Sequence, residues 1–248
     1  MDLRGKVALI TGGGTGAGRA IALALADAGV DVAVNYSRSA DAAAATVRDL
    51  ESRGRRAVSV QADVSVAAQV QRMVAETVEA LGRIDILVNN AGFTKFVAFQ
   101  DLEGIDEATW DQTMAVNAKA PWLCAKAVAP IMKRQGAGRI VNTASTAGLR
   151  PGGSSLAYSV SKAALIQLTR GLALALAPEI TVNAVAPGIL LTRWSEGFTP
   201  EAMERNRNET ALKRFATVEE VADAVVLFAR SGSVTGQTLV LDGGRVMH

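Results

Sequence analysis

The chain has 248 residues, of which 49% are hydrophobic and 20% charged, and a formal net charge of +2. It is long enough to bury the core of one large α/β domain, and so small a charge gives no basis for binding nucleic acid or an anionic membrane surface. The single cysteine, Cys124, excludes an internal disulfide, as is typical of a reducing compartment. The N-terminal apolar run is too short for a signal peptide, and no run approaches the about 20 apolar residues of a membrane span. We therefore expect a cytoplasmic protein.

Short apolar runs alternate with longer helical segments along the chain. The sequence predicts strands at 7–10, 31–36, 56–60, 84–88, 139–143, 180–184 and 237–241. It predicts helices from the glycine loop to about residue 29 and at 41–53, 67–81, 109–134, 155–177 and 218–229. Strand followed by helix, repeated, with nearly continuous apolar strands, favours an α/β fold whose parallel sheet has helices on both faces. Because no linker or change of composition interrupts the pattern, we expect one domain over 1–248.

A glycine-rich loop, T-G-G-G-T-G-A-G at 11–18, lies between the first predicted strand and the first predicted helix. In this context glycines let the backbone approach a pyrophosphate, and the helix N-terminus offers unpaired N–H groups and a partial positive charge. Gly12, Gly14 and Ala17 fit the general dinucleotide fingerprint, whereas Gly12, Gly16 and Gly18 fit a wider spacing. A glycine-rich turn without a ligand is the alternative interpretation.

The segment 139–164 carries Ser145, Tyr158 and Lys162, which suit carbonyl chemistry. Tyr158 and Lys162 are four residues apart on a predicted helix, so their side chains share one face. An ammonium group beside a phenol favours the phenolate, so we expect the pKa of Tyr158 to fall below its usual value of about 10. Tyr158 could donate a proton to the carbonyl oxygen of a substrate, and Ser145 could hydrogen-bond the same oxygen. The spacing alone also fits an ordinary exposed pair on a helix.

Five motifs occur in order: T-G-x-x-x-G-x-G at 11–18, N-N-A-G at 89–92, Ser145, Y-x-x-x-K at 158–162 and P-G at 187–188. Together they resemble the classical short-chain dehydrogenase/reductase family over essentially the whole chain, most of all its 3-oxoacyl-[acyl-carrier-protein] reductases. The resemblance implies a single-domain Rossmann fold with a doubly wound, seven-stranded parallel sheet. It also implies a homotetramer built through the helices at 109–134 and 155–177 and the C-terminal strand.

The same resemblance implies roles for individual residues. The catalytic set is Asn117, Ser145, Tyr158 and Lys162, with Asn117 at a backbone irregularity that holds a water for proton relay. Ser145 and Tyr158 would polarise a carbonyl, and Tyr158 would protonate the developing alkoxide after hydride transfer from a nicotinamide cofactor. The cofactor-binding residues comprise the wider glycine register, an adenine-contacting pair, the segment after strand four, the Tyr-Lys pair and a nicotinamide-contacting segment: Gly12, Thr15, Gly16, Ala17, Gly18, Asp63, Val64, Asn90, Ala91, Gly92, Tyr158, Lys162, Pro187, Gly188, Ile189 and Thr192.

The end of the second predicted strand indicates which nicotinamide cofactor is preferred. An NAD site usually has an acidic residue there, which binds the ribose 2′-OH. Asp31 stands at the beginning of the strand instead, and the segment V-N-Y-S-R at 34–38 has no carboxylate to repel a 2′-phosphate. Ser37 and Arg38 can hydrogen-bond that phosphate, which predicts a preference for NADP(H) over NAD(H). The alternative is that Arg38 is a solvated residue opening the second helix.

The sequence says less about the substrate. The insert at 193–215 is expected to form a mobile lid. Aromatic and apolar residues there and after strand four line a pocket or pack in the core: Trp194, Phe198, Met203, Phe93, Phe96 and Phe99. No charged residue is clearly placed for an acidic or sugar substrate, and L-A-L-A-L at 172–176 is apolar where carrier-dependent members often place an arginine.

Three functions remain open from the sequence. The first is a reductase of 3-oxoacyl or related ketones, and the second is a dehydrogenase of a sugar, polyol or other secondary alcohol. The third is a catalytically silent nucleotide-binding protein. The expected partner is a small ketone or alcohol or an acyl thioester. No metal site is expected, because the lone histidine is the terminal His248 and the lone cysteine has no partner.

Overall fold

The computed structural model describes residues 1–247, and the expectation about His248 lies outside the described residues. Within that range one parallel sheet contains β1 (Val7–Ile10), β2 (Asp31–Tyr36), β3 (Ala57–Gln61), β4 (Ile86–Asn89), β5 (Gly138–Thr143), β6 (Ile180–Pro187) and β7 (Thr238–Leu241). The strand order is β3-β2-β1-β4-β5-β6-β7. The predicted α/β fold with a seven-stranded, doubly wound sheet is confirmed.

Helices connect the strands: α1 (Gly16–Asp27), α2 (Ala40–Ser52), α3 (Ala67–Leu81), α4 (Glu107–Met114), α5 (Ala120–Arg134), α6 (Leu156–Leu176), α7 (Pro200–Glu209) and α8 (Val218–Arg230). A π-helical segment, Ala115–Lys119, joins α4 to α5, and short 3₁₀ helices occupy Thr146–Gly148 and Arg193–Gly197. The predicted helix at 109–134 is therefore three successive pieces. None of the helices in residues 1–247 is long and apolar enough to cross a membrane.

The alternation of side chains along each strand builds two apolar layers. Leu9 of β1 points into a cluster with Met73 of α3 and Val128 of α5. The next residue, Ile10, points to the other face, into a cluster with Leu25 of α1 and others from α8. Successive side chains of a strand point to opposite faces, so both faces of the sheet must be covered. Helices on both faces follow from that requirement.

A buried chain of polar side chains ties α6 to the middle of the sheet. Asn89 of β4 donates from Nδ2 to Oδ1 of Asn142 on β5 at 2.9 Å, and Asn142 donates to Oγ1 of Thr169 on α6 at 2.9 Å. All three residues are buried, so each unmade hydrogen bond would leave a desolvated polar group. The chain of bonds therefore fixes the position of α6 over β4 and β5.

The order of the strands determines where a ligand can bind. The sheet continues from β1 to β2 on one side and from β4 to β5 on the other, so the connections from β1 and β4 leave in opposite directions. A crevice opens outside the carboxyl ends of strands at such a reversal. The loops after β1, β4, β5 and β6 all begin at this edge of the sheet, where the predicted site residues lie.

Candidate active site

The glycine loop after β1 has a backbone that only glycine adopts easily. Gly12 and Gly16 have φ angles of +63° and +52°, in the left-handed region that other residues rarely adopt. A side chain at Gly18 would collide with the Gly12 carbonyl oxygen and with the amide of Asn90. Asn90 in turn donates from Nδ2 to the carbonyl oxygens of Thr11 and Gly12, each at 3.1 Å. The loop therefore depends on the wider register of glycines.

The N-terminus of α1 is open to an anion. Its capping residue, Thr15, makes no side-chain hydrogen bond to the first turn, and that turn contains no acidic residue. The first N–H groups of a helix have no partner within the helix, and they carry a partial positive charge. The residues present thus fit the pyrophosphate of a dinucleotide, which would lie against the glycine loop and this helix end.

Asn35 supports the same loop and was not predicted as a site residue. Its Oδ1 accepts a hydrogen bond from the Gly12 N–H at 3.3 Å, and its Nδ2 donates to the carbonyl oxygens of Val60 and Ala62 at 3.2 and 3.1 Å. The side chain therefore joins the ends of β2 and β3 to the glycine loop. The signal in the sequence was a single amide in the otherwise apolar run V-A-V-N-Y.

The end of β2 is basic, as predicted from the sequence. Ser37 and Arg38 are exposed and line the central cavity, and the Ser37 carbonyl accepts a hydrogen bond from Gln61 Nε2 at 3.1 Å. Arg38 forms no ion pair within residues 1–247. Asp31 lies at the other end of β2, where its Oδ2 accepts from Arg56 Nε at 2.8 Å. No β2 carboxylate faces the cavity at this end.

Ser145, Tyr158 and Lys162 are brought together by the docking of one loop onto α6. Ser145 follows β5, and its Oγ accepts from the Ala147 N–H at 3.1 Å. At Gly148 a side chain would lie only 2.5 Å from the backbone carbon of Lys162, so this loop and α6 pack backbone to backbone. Lys162 Nζ donates to the Thr143 carbonyl at 2.7 Å and lies 5.6 Å from the centre of the Tyr158 ring.

The expected fall in the pKa of Tyr158 is wrong for this arrangement. Desolvation by the surrounding protein raises the pKa of Tyr158 to about 12, and hydrogen bonding to Ser145 opposes this rise only in part. Desolvation also lowers the pKa of Lys162 to about 8. The Lys162 ammonium is bound to a carbonyl rather than to the phenol oxygen, and burial penalises the charged form of both groups. At neutral pH Tyr158 therefore holds its proton.

Asn117 lies in the π-helical segment and is fully buried. Its Oδ1 accepts from the Phe93 N–H at 2.8 Å, and its Nδ2 donates to the Phe93 carbonyl at 2.9 Å and to Ser161 Oγ at 3.0 Å. The side chain thus holds the segment that follows N-N-A-G against the helix carrying Tyr158. The backbone irregularity expected at this position is present, since a π turn interrupts the α-helical hydrogen bonds.

These loops enclose a cavity of about 1470 Å³, larger than the about 300–1,000 Å³ of a typical small-molecule site. Every predicted catalytic and cofactor-binding residue lines it except Asn117, which lies behind the wall. The adenine-contacting pair, Asp63 and Val64, is included, and Asp63 Oδ1 accepts from the Ser65 N–H at 2.9 Å. The structure therefore brings the predicted residues to one place. No cluster of metal-ligating side chains occurs in the described part of the chain.

The cavity beyond Tyr158 has an aromatic wall. Phe96 and Phe198 pack edge to face with ring centres 5.1 Å apart, and Trp194 lies 6.1 Å from the ring of Tyr158. Phe93 also lines the cavity, whereas Phe99 and Met203 do not. The insert at 193–215 thus contributes two residues to the aromatic wall, Trp194 of its 3₁₀ helix and Phe198, which directly follows that helix.

Charged residues also line the cavity, although the sequence showed none clearly placed for a substrate. Arg150 comes from the loop between Ser145 and Tyr158, and Arg205 comes from α7. The sequence could not predict that Arg205 lines the cavity, because this depends on how the insert folds back to bring α7 to the cavity.

The buried Lys162 gives a prediction about stability and pH. Its pKa is about 8 in the folded protein, against 10.5 for an unperturbed lysine, so between these values the unfolded chain binds more protons and the wild type gains stability as pH rises. Relative to Lys162→Met, the wild-type free energy of unfolding should therefore increase from pH 8 to pH 10.5, by about 1.4 kcal/mol per unit of pKa difference.

Denaturant unfolding of the cofactor-free proteins across this pH range measures the effect. Lys95→Met is the matched control, because Lys95 is an exposed lysine that lines neither the cavity nor the groove between α5 and α6. Its difference from wild type should not change with pH. A constant difference for Lys162→Met as well would contradict the buried, destabilised ammonium.

Comparison with known proteins agrees with this geometry. Residues 12–245 match the family model described as enoyl-(acyl carrier protein) reductase. A 3-oxoacyl-[acyl-carrier-protein] reductase from Synechocystis sp. is 39% identical over 81% of this chain and 81% of its own length. A short-chain dehydrogenase from Burkholderia cenocepacia J2315, solved in complex with NADP, is 38% identical with a TM-score of 0.91, covering 99% of both chains.

A further solved structure shares the fold but contains NAD⁺, whereas the Burkholderia structure contains NADP. The NAD⁺-bound xylitol dehydrogenase is 30% identical with a TM-score of 0.91, covering 98% of this chain and all of that one. The fold, the cavity with its glycine loop and these similarities all indicate an oxidoreductase that uses a nicotinamide cofactor. The chain belongs to the short-chain dehydrogenase/reductase family.

Proposed function

We propose that this protein is an NADP(H)-dependent carbonyl reductase that acts on 3-oxoacyl-type ketones. The observation that carries the proposal is the position of Tyr158 beside Ser145 and Lys162 in the cavity that also contains the glycine loop. The similarity to a 3-oxoacyl-[acyl-carrier-protein] reductase supports this choice of substrate. An alcohol dehydrogenase would use the same residues in reverse, so substrates must be tested in both directions.

Tyr158 would donate a proton to the reacting carbonyl oxygen. A phenol is protonated at neutral pH even at its ordinary pKa of about 10, and burial raises the pKa of Tyr158 further, to about 12. The protonated phenol is the form that reduction needs. Ser145 Oγ would donate a second hydrogen bond to the same oxygen and stabilise the negative charge that develops there. The bound nicotinamide would supply the hydride.

Lys162 and Asn117 would serve the proton path. Lys162 is buried one helical turn from Tyr158, and its ammonium is well placed to bind a ribose hydroxyl and to restore the Tyr158 proton. Asn117 would act through its position, because its amide is already bonded to Phe93 and Ser161. A water at the π turn would complete the relay from solvent. The segment 193–215 would close over the substrate.

The remaining cofactor contacts follow from the lining of the cavity. Thr15 and Ala17 lie with the glycines of the loop, and Ala91 and Gly92 continue from Asn90 along the crevice. The segment after β6 would face the nicotinamide, through Pro187, Gly188, Ile189 and Thr192. Ser37 and Arg38 would bind the 2′-phosphate, since a charge-assisted hydrogen bond contributes about 1.5–3 kcal/mol.

Tyr158→Phe tests the proton donor. We expect turnover of ketones to fall by about 100-fold or more, while NADPH affinity and thermal stability change little, because only the hydroxyl is lost. The control is Tyr36→Phe, which makes the same chemical change at the other tyrosine lining the cavity. Steady-state kinetics and NADPH titration measure both. Near-normal turnover by Tyr158→Phe would rule out its assigned role.

Arg38→Ala tests the choice of cofactor. Wild type should prefer NADPH over NADH by about tenfold to a hundredfold in kcat/KM, and the variant should lose most of that preference with NADH turnover unchanged. Arg48→Ala is the control, because Arg48 is exposed on α2, the helix that follows Arg38, and does not line the cavity. A wild type that prefers NADH, or an equal loss in both variants, would show the assignment to be wrong.

We further propose a homotetramer that uses the outer faces of α5 and α6. A groove between these helices is lined by Trp122, Ala129 and Leu176, among others, and Trp122 is 42% exposed although it is large and apolar. Exposed apolar surface of this kind is typical of interfaces. Family membership supports the second copy as its occupant.

Light scattering at micromolar concentration tests this assembly. The expected mass is four times the 25.8 kDa of one chain, and Trp122→Asp should reduce it, because a carboxylate would be buried without a partner. Leu102→Asp changes an exposed leucine of a loop and should leave the mass unaltered. A wild-type monomer under these conditions would contradict the proposal.

A further inference from the structure

The cavity has a basic edge, which we define as Arg150, Arg205 and Arg245. The three arginines come from separate segments: the loop before α6, helix α7 and the chain after β7. All three line the cavity. The proposed reduction of a carbonyl needs none of them, so their presence calls for another role.

Glu209 compensates part of the charge of this edge. Its Oε2 accepts from Arg245 Nε at 2.9 Å and lies 3.6 Å from Arg150 Nη2. Hydrogen bonding and the charge of Arg245 lower the pKa of Glu209, and the charges of Arg150 and Arg205 lower it further. One carboxylate thus serves three guanidinium groups, and the basic edge keeps a net positive charge.

Arg205 carries the uncompensated charge most directly. It precedes Glu209 by one turn on α7, but it forms no ion pair or side-chain hydrogen bond with any residue from 1 to 247. The next residue, Asn206, also lines the cavity, and its Nδ2 donates to the Ala202 carbonyl at 2.6 Å, which leaves its oxygen free of a described donor. Arg205 is exposed and lines the cavity, so the donors of its guanidinium are available to a ligand.

The aromatic wall lies on the same segment as Arg205. Phe198 of the insert packs on Phe96, and Trp194 packs beside Tyr158. A ligand in this cavity could thus contact a proton donor, apolar rings and a guanidinium fork. Guanidinium groups bind carboxylate and phosphate through paired hydrogen bonds, which a neutral polar group cannot accept equally well.

We infer that the substrate is a ketone that carries an anionic group, a carboxylate or a phosphate, beyond an apolar segment, and that Arg205 is the residue that recognises this anion. The inference rests on the proposed carbonyl reductase function, which it deepens. The anion can come from a carboxylate at the end of a small oxo acid or from the phosphate of a pantetheine-type thioester carrier.

Matched substrate pairs distinguish these two sources. One arm compares straight-chain oxo acids of increasing length with their methyl esters, and the other compares acetoacetyl-4′-phosphopantetheine with acetoacetyl-pantetheine. Wild type should prefer the charged member of at least one pair type by about tenfold to a hundredfold in kcat/KM, the range expected for a charge-assisted hydrogen bond. Arg205→Met should lose that preference through KM, with little change for the neutral member. Raising the salt concentration should reduce the wild-type preference.

Arg207→Met is the control, because Arg207 is an exposed arginine on the same helix and does not line the cavity. It should keep the wild-type preference. Reduction of neutral members without any preference for charged ones, or an equal loss in both variants, would overturn the anion site and leave the reductase proposal standing.

A calorimetric titration separates this inference from the function on which it rests. The probe is the oxo acid itself, added to the wild type and to the two arginine variants in the presence of NADP⁺. Binding that disappears in Arg205→Met but persists in Arg207→Met supports the anion site even if no ketone is turned over, in which case the reductase function is the part that fails. Binding of equal strength in all three proteins overturns the anion site.

Discussion

The site depends on the docking of α6 against the loop after β5. Gly148 allows the backbone of that loop to touch the backbone of Lys162, and Lys162 spans the contact by donating to the Thr143 carbonyl. This contact sets Ser145 opposite Tyr158 and buries an ammonium group, which destabilises the fold at neutral pH. The hydrogen bonds from Asn89 to Asn142 and from Asn142 to Thr169 also hold α6 against β4 and β5. The interactions that dock α6 therefore offset the free-energy cost of burying the Lys162 ammonium.

The remaining parts of the cleft are positioned by polar side chains that act on backbone. Asn35 and Asn90 hold the glycine loop through its N–H and carbonyl groups, and Asn117 holds the segment after β4 through Phe93. Asn35 and Asn117 are buried, and Asn90 directly follows β4. The donors and acceptors of all three amides therefore lie close to the backbone of loops. Hydrogen bonds of this kind are costly to leave unmade, so they fix loops that have few apolar contacts. The result is a cleft whose glycine loop is held by hydrogen bonds and whose wall is built in part from the insert.

Much of this architecture could be predicted from the sequence. The apolar runs at 7–10 and 31–36 and the helical periodicity at 67–81 predicted the observed limits of β1, β2 and α3. These limits were predictable because burial of the apolar residues determines where such elements begin and end. The ordered motifs identified the residues of the cleft. The irregularity at Asn117 was expected only from the family resemblance. Two features could not be predicted: the direction of the Tyr158 pKa shift, which depends on burial, and the approach of Arg205 to the cavity. Each depends on three-dimensional neighbours that are distant in the chain.

In the proposed function, bound NADPH supplies a hydride to a ketone and the protein supplies the proton. A screen of the purified wild-type protein against 3-oxoacyl thioesters, oxo acids, simple ketones and a 2-enoyl thioester, followed by the loss of NADPH fluorescence, tests it most directly. The account predicts NADPH consumption with a 3-oxo substrate and formation of the corresponding alcohol in equal amount. NADPH binding without turnover of any ketone, and without oxidation of any alcohol by NADP⁺, would contradict it and indicate a nucleotide-binding protein.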